Sequence, residues 1–179
     1  MMKDLKKFNI PFVGLKEGNH LFEYQIDNTF FEAFNYEDFN SANIQVSINL
    51  EKKSTFLKLN FKAKGFVNVL CDISLEPYNQ KIKTSLPLLV KFGDEFNDEN
   101  EEVLILPHNA FEVNVSQYIY EMIVLAVPTK RIHPQVKDGS LETEATKKLK
   151  ELEIKEEKTV DNTDPRWDKL KNLITEKKK

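Results

Sequence analysis

The feature that most constrains the fold is a change of phase between two alternating runs. From Ala42 to Leu50 the even positions are apolar (Ala42, Ile44, Val46, Ile48, Leu50), with Asn43, Gln45, Ser47 and Asn49 between them. From Leu57 to Leu75 the odd positions read Leu, Leu, Phe, Ala, Gly, Val, Val, Cys, Ile and Leu. The even positions there are mostly Lys, Asn, Asp and Ser, with Phe66 and Leu70 as exceptions. A period of two belongs to a strand with one dry and one wet face. Glu51-Lys52-Lys53-Ser54 between the runs reads as the turn of a long hairpin. Gly65 predicts a bulge or bend in a strand that curls toward a barrel.

Shorter elements flank the hairpin. Residues 8–13 and 21–26 are candidate strands, the first demoted to an edge by Pro11. Asp27-Asn28-Thr29 is placed to cap a short helix whose Phe30, Phe31 and Phe34 pack on a sheet. Glu76-Pro77-Tyr78-Asn79 reads as a turn before a strand through Ile82, Leu86, Leu88, Val90 and Phe92, with Lys81, Lys83 and Lys91 on the opposite parity. Residues 93–102 are a dense acidic loop without regular metal-ligand spacing. Val103-Leu104-Ile105-Leu106 is a short buried run. The period then becomes helical from Asn114 to Val127, where Asn114 and Gln117 resemble a capping box and Pro128 is the stop.

Beyond His133 the composition changes. Residues 137–163 are charged and poor in apolar side chains, which predicts a flexible arm. Asp164-Pro165 then starts a tail helix over 164–179, with Trp167, Leu170 and Ile174 on one face. The expected domains are therefore a core at 1–136, an arm at 137–163 and the tail. The fold class is α+β: a curved, mostly antiparallel, barrel-like sheet closed by the long helix at 114–127.

Charge and cysteine usage narrow the function. A net charge of −3 argues against binding nucleic acid by bulk electrostatics, which leaves room only for a local basic face. One cysteine excludes an intramolecular disulfide, and with three histidines it leaves few metal ligands. No apolar run approaches the ~20 residues of a membrane span, and no signal peptide is visible, so a cytoplasmic, membrane-free chain is expected. Phosphate-cradling glycine loops, nucleophile elbows and paired-histidine zinc helices are all missing, which points away from an enzyme. Cys71 falls on the dry parity, where a thiol stays inert.

What remains is the wet face of the hairpin. Lys58, Lys62 and Lys64 share parity with Asn60 and Asn68, and Asn43, Gln45, Ser47 and Asn49 line the neighbouring strand. Ammonium and amide groups on an open sheet suit RNA phosphates and sugar hydroxyls. An ordinary solvated face is the competing reading, since exposed stacking aromatics are missing.

Three ordered stretches carry a resemblance. Cys71-Asp72-Ile73-Ser74-Leu75-Glu76 matches a Cys-x-x-Cys-Leu-Glu pattern with serine at the second cysteine. Glu121-Met122-Ile123-Val124-Leu125-Ala126-Val127-Pro128 is similar to Glu-Glu-Leu-x-Leu-Ala-Leu-Pro, and Asp164-Pro165-Arg166-Trp167 with Leu170 and Leu173 to Asp-Pro-Arg-Trp-x-x-Leu-x-x-Leu. Together they resemble the YceD family, linked to accumulation of large-subunit ribosomal RNA. The motif residues are Cys71, Leu75, Glu76, Pro128, His133, Asp164 and Pro165.

The resemblance implies a non-catalytic factor for large-subunit ribosomal RNA, with ribosomal RNA or a precursor particle as partner and a ribosomal or assembly protein as a further one. Many members carry a second cysteine cluster after the Leu-Pro helix, giving a four-thiolate zinc site. Here His133 stands near the first of those positions and the rest is absent, so neither zinc nor another cofactor is expected. Arg166, Trp167 and Leu170 are candidates for docking either a partner or the core domain itself. The alternative is a protein–protein adaptor that works through the Trp167 helix without touching RNA.

Overall fold

The computed structural model describes residues 4–152 apart from 101. It divides into two compact units, 1–142 and 143–179. The first is α+β. A 3-10 turn at Asp4–Phe8 leads into β1 (Asn9–Pro11), followed by β2 (Gly18–Ile26), α1 (Asn28–Glu32), β3 (Ser41–Lys52), β4 (Phe56–Leu70) and β5 (Pro77–Gly93). Then come β6 (Asn97–Asn100), β7 (Val103–Pro107), β8 (Glu112–Asn114), α2 (Ser116–Ala126) and the short α3 (Pro134–Lys137). In the second unit α4 (Glu144–Leu152) starts at a reciprocal threonine cap: Thr146 N–H donates to Thr143 Oγ1 at 3.2 Å, and Thr143 N–H to Thr146 Oγ1 at 2.8 Å. This helix lies in the segment expected as a flexible arm. The expected tail helix, with Asp164, Pro165, Arg166, Trp167 and Leu170, lies outside the described residues.

The phase change does form a hairpin. β3 and β4 pair without a register break from Ser41↔Asn68 to Lys52↔Leu57. β4 pairs with β5 over fifteen positions, from Phe56↔Lys91 to Leu70↔Pro77. Alternate positions of both strands are fully buried: Ile44, Val46, Ile48 and Leu50 on β3, and Leu57, Leu59, Phe61, Val67 and Val69 on β4. Around these, Phe8, Ile10, Phe30, Phe31, Ile119 and Ile123 complete one apolar core.

The sheet does not close. Its order is β2-β3-β4-β5-β7-β6, with β5 and β7 parallel and β2 and β6 left as edges. Closure would require β6 to pair onward, but β6 is a four-residue strand, Asn97-Asp98-Glu99-Asn100, exposed at every position. A short, charged edge of this kind resists further pairing. The barrel-like expectation is therefore replaced by an open six-stranded sheet. The acidic stretch expected as a loop supplies that edge.

Three further expectations are corrected. Gly65 introduces no bulge; it stands opposite Ile44 in an unbroken ladder. An added Cβ there would lie 2.2 Å from the Asn43 carbonyl oxygen, so glycine is needed for backbone approach. The strand expected to reach Leu75 ends at Leu70, and β5 already begins at Pro77, where a turn was expected. Asn114 and Gln117 form no capping box: Asn114 Oδ1 accepts from Ser116 N–H at 3.0 Å, while Gln117 Nε2 donates to Glu121 at 2.9 Å.

β1 joins none of the six strands. It pairs with β8, Asn9 opposite Asn114, and so ties residues near the start of the core to the entrance of α2. Lys52 completes this tie. Its ammonium donates to the carbonyls of Phe12 (2.8 Å), Val13 (3.3 Å) and Leu15 (2.8 Å), pinning the loop after β1 to the end of β3.

Candidate nucleic-acid interface

Two places carry chemistry, the turn at Cys71 and the outer face of the sheet. In the turn, Cys71 N–H donates to Glu76 O at 3.0 Å and Leu75 N–H returns to Cys71 O at 3.0 Å. Leu75 adopts a positive φ of 59° to make the return. The thiol is wholly buried and accepts N–H donors from His133 at 3.3 Å and Ser74 at 3.5 Å. Burial pushes the thiol up, but the donors from His133, Ser74 and Ile73 outweigh it and leave its pKa below the ordinary value. Its burial agrees with the sequence reading, while the downward shift departs from the inert thiol expected there.

The segment after α2 is clasped to this turn. Asp72 N–H donates to Arg131 O at 2.8 Å, Arg131 N–H donates to Asp72 Oδ2 at 2.7 Å, and the Arg131 guanidinium stands 3.7 Å from Asp72 Oδ1. No sequence signal marks this pair. His133 therefore does come beside Cys71, but through its backbone. Its ring packs edge-on to Tyr78 with centroids 5.3 Å apart, and Nδ1 accepts from Gln135 N–H at 3.1 Å as the cap of α3.

That geometry answers the zinc question. A structural zinc needs about four thiolate or imidazole donors. Here one cysteine is present, Ser74 replaces the second, and the His133 nitrogen nearest the chain is committed to a helix cap. Among the described residues no three His, Cys, Asp or Glu side chains are grouped as a metal site. The donor set does not fit zinc, and hydrogen bonds hold the turn.

The outer face is read directly from the register. Across β2 to β5, successive rows run Glu23–Ser47–Lys62–Ser85, then Gln25–Gln45–Lys64–Lys83, then Asn43–Phe66–Lys81. Toward the hairpin turn the rows are Leu21–Asn49–Asn60–Pro87 and Asn19–Glu51–Lys58–Leu89. All seven hairpin residues expected to face a partner (Asn43, Gln45, Asn49, Lys58, Asn60, Lys62, Lys64) thus share this surface.

The structure adds Lys81, Lys83 and Lys91 of β5. Their parity was legible, but only the β4–β5 register shows that they join the same face. All six lysines are exposed, and none makes an ion pair among the described residues. Only Glu23 and Glu51 oppose them across these four strands. The amides are partly organised among themselves: Asn68 Nδ2 donates to Asn79 at 2.8 Å, Asn40 Nδ2 to Asn68 at 3.1 Å, and Gln25 Nε2 to Asn43 at 2.8 Å. No helix among the described residues is long and apolar enough to cross a membrane.

Comparison with known proteins adds one finding. The family model described as "Large ribosomal RNA subunit accumulation protein YceD" matches residues 59–174. No curated protein and no solved structure matches the chain. The matched span opens inside β4 and takes in the Cys71 turn, every lysine of β5, α2 and the Asp72–Arg131 clasp. Covering well over half of the sequence, it shows that the chain belongs to the YceD family.

Proposed function

We propose that this protein is a non-catalytic factor that supports the synthesis, processing or stability of large-subunit ribosomal RNA by binding RNA on the outer face of its sheet. The observation that carries the reading is the segregation of charge. A chain of net charge −3 gathers on one face six lysines that make no ion pair among the described residues, against two carboxylates across the same four strands. Lysines aimed at solvent among amides and hydroxyls are suited to phosphate and sugar contacts that position RNA without reading its sequence. The family description supplies the RNA class.

The test replaces the charges and follows the particle. In cells depleted of the protein, large-subunit precursors accumulate and the wild-type chain restores the subunit profile on a sucrose gradient. The combined variant K62E/K64E/K83E does not. A normal large-subunit peak after depletion, or full rescue by the variant, defeats the proposal.

A further inference from the structure

We infer that the lysine face is built for the backbone of double-helical, A-form RNA and not for single strands. The inference rests on the RNA reading above and narrows its ligand. Single strands are held on stacking platforms, aromatic rings on which successive bases lie. This face has rings only at its two ends, Phe56 and Phe66, both half-buried and ten residues apart on β4. At about 3.3 Å per residue they stand roughly 33 Å apart, too far to serve neighbouring bases.

The surface between them has the chemistry a duplex presents. A-form RNA offers a wide, shallow minor groove edged by phosphates and lined by 2′-hydroxyls, and proteins read it mostly by shape and backbone. The open sheet is broad, with a shallow depression of about 590 Å³ lined in part by Gln45, Ser47, Lys62, Lys64, Lys83 and Ser85. Across one row the groups pass from carboxylate to hydroxyl to ammonium to hydroxyl: Glu23, Ser47, Lys62, Ser85. A phosphate strand fits the lysine side of that row, while the Glu23 side repels phosphate and accepts hydroxyl protons. A 2′-hydroxyl is present in RNA and missing from DNA.

Lys64 and Lys83 sharpen the point, because they stand directly opposite each other in the ladder. Like charges in that position destabilise a sheet. A phosphate between them removes the conflict.

The test measures binding of the full chain at one fixed, low salt concentration to three probes. These are a blunt RNA duplex of about 16 base pairs, the span of a contact across two minor grooves, one of its strands alone, and the DNA duplex of the same sequence. The RNA duplex is expected to bind at least about tenfold tighter than either other probe. K64Q/K83Q, confirmed as folded by circular dichroism, is expected to reduce duplex affinity and lower the slope of affinity against salt, as loss of phosphate contacts requires. A single strand or DNA duplex bound as tightly as the RNA duplex overturns the inference and leaves the RNA reading standing. Failure of all three probes to bind removes the RNA reading itself.

Discussion

At the scale of single residues, Lys64 and Lys83 set function against stability. Lys83→Glu turns a like-charge cross-strand pair into an opposite-charge one, a change worth about 0.2–1 kcal/mol in favour of the fold. The expected outcome is a higher melting temperature together with weaker RNA binding, measured by calorimetry and anisotropy on the same preparation. A stability gain at the cost of activity is the usual mark of a functional surface. Cys71 is the opposite case, a residue whose work is internal. Cys71→Ala strands the N–H groups of Ser74 and His133 and is expected to cost about 1–3 kcal/mol in urea unfolding, with Cys71→Ser recovering part of it. Because the folded thiol sits below its ordinary pKa, its contribution is present above the unfolded value and is lost as pH falls through the folded one. The stability gap between wild type and Cys71→Ser should therefore widen as pH rises through that window, which unfolding at a series of pH values checks.

At the scale of elements, the hairpin is secured by one missing side chain and one bound ammonium. Gly65→Ala forces a methyl group against the Asn43 carbonyl, and a backbone that must give way is expected to cost at least about 1–3 kcal/mol. Lys52→Met removes the donor shared by three carbonyls of the loop after β1. Amide exchange is expected to speed up at residues 12–15 and to change little in β4 and β5. Equal protection in both proteins would show that β1–β8 pairing alone holds the loop.

At the scale of the whole molecule, what sequence reveals is what repeats locally. The β3–β4 hairpin and α2 are legible because a period of two or of 3.6 is written into consecutive residues. The lysines of β4 were found by the same rule. The parallel β5–β7 pair, the β1–β8 sheet and the Asp72–Arg131 clasp carry no periodic signal, since each joins segments whose partner is chosen by the rest of the core. The interface lay between these limits: the parity of Lys81, Lys83 and Lys91 is local, but their alignment with Lys62 and Lys64 is a property of register. Openness of the sheet was illegible for a related reason, because one four-residue edge strand, β6, decides it.

The β1–β8 pairing also has a consequence in time. Asn9 and Glu112 are bonded across 103 residues, Asn9 Nδ2 donating to the carboxylate at 2.7 Å. At a synthesis rate of roughly 5–20 residues per second, β1 leaves the ribosome about 5–20 s before its partner strand does. Over that interval Ile10 and Phe12, buried in the finished fold, lack Val113 and Phe111, which they meet there, whereas Phe8 can already pack on Tyr24 and Phe30. Chains released before residue 112 should therefore aggregate or be captured by chaperones, whereas chains released after α2 should fold; sedimentation of nascent-chain truncations distinguishes the two. The newborn protein thus depends on the same machine whose RNA we propose it to serve, and its own last-formed strand decides when that dependence ends.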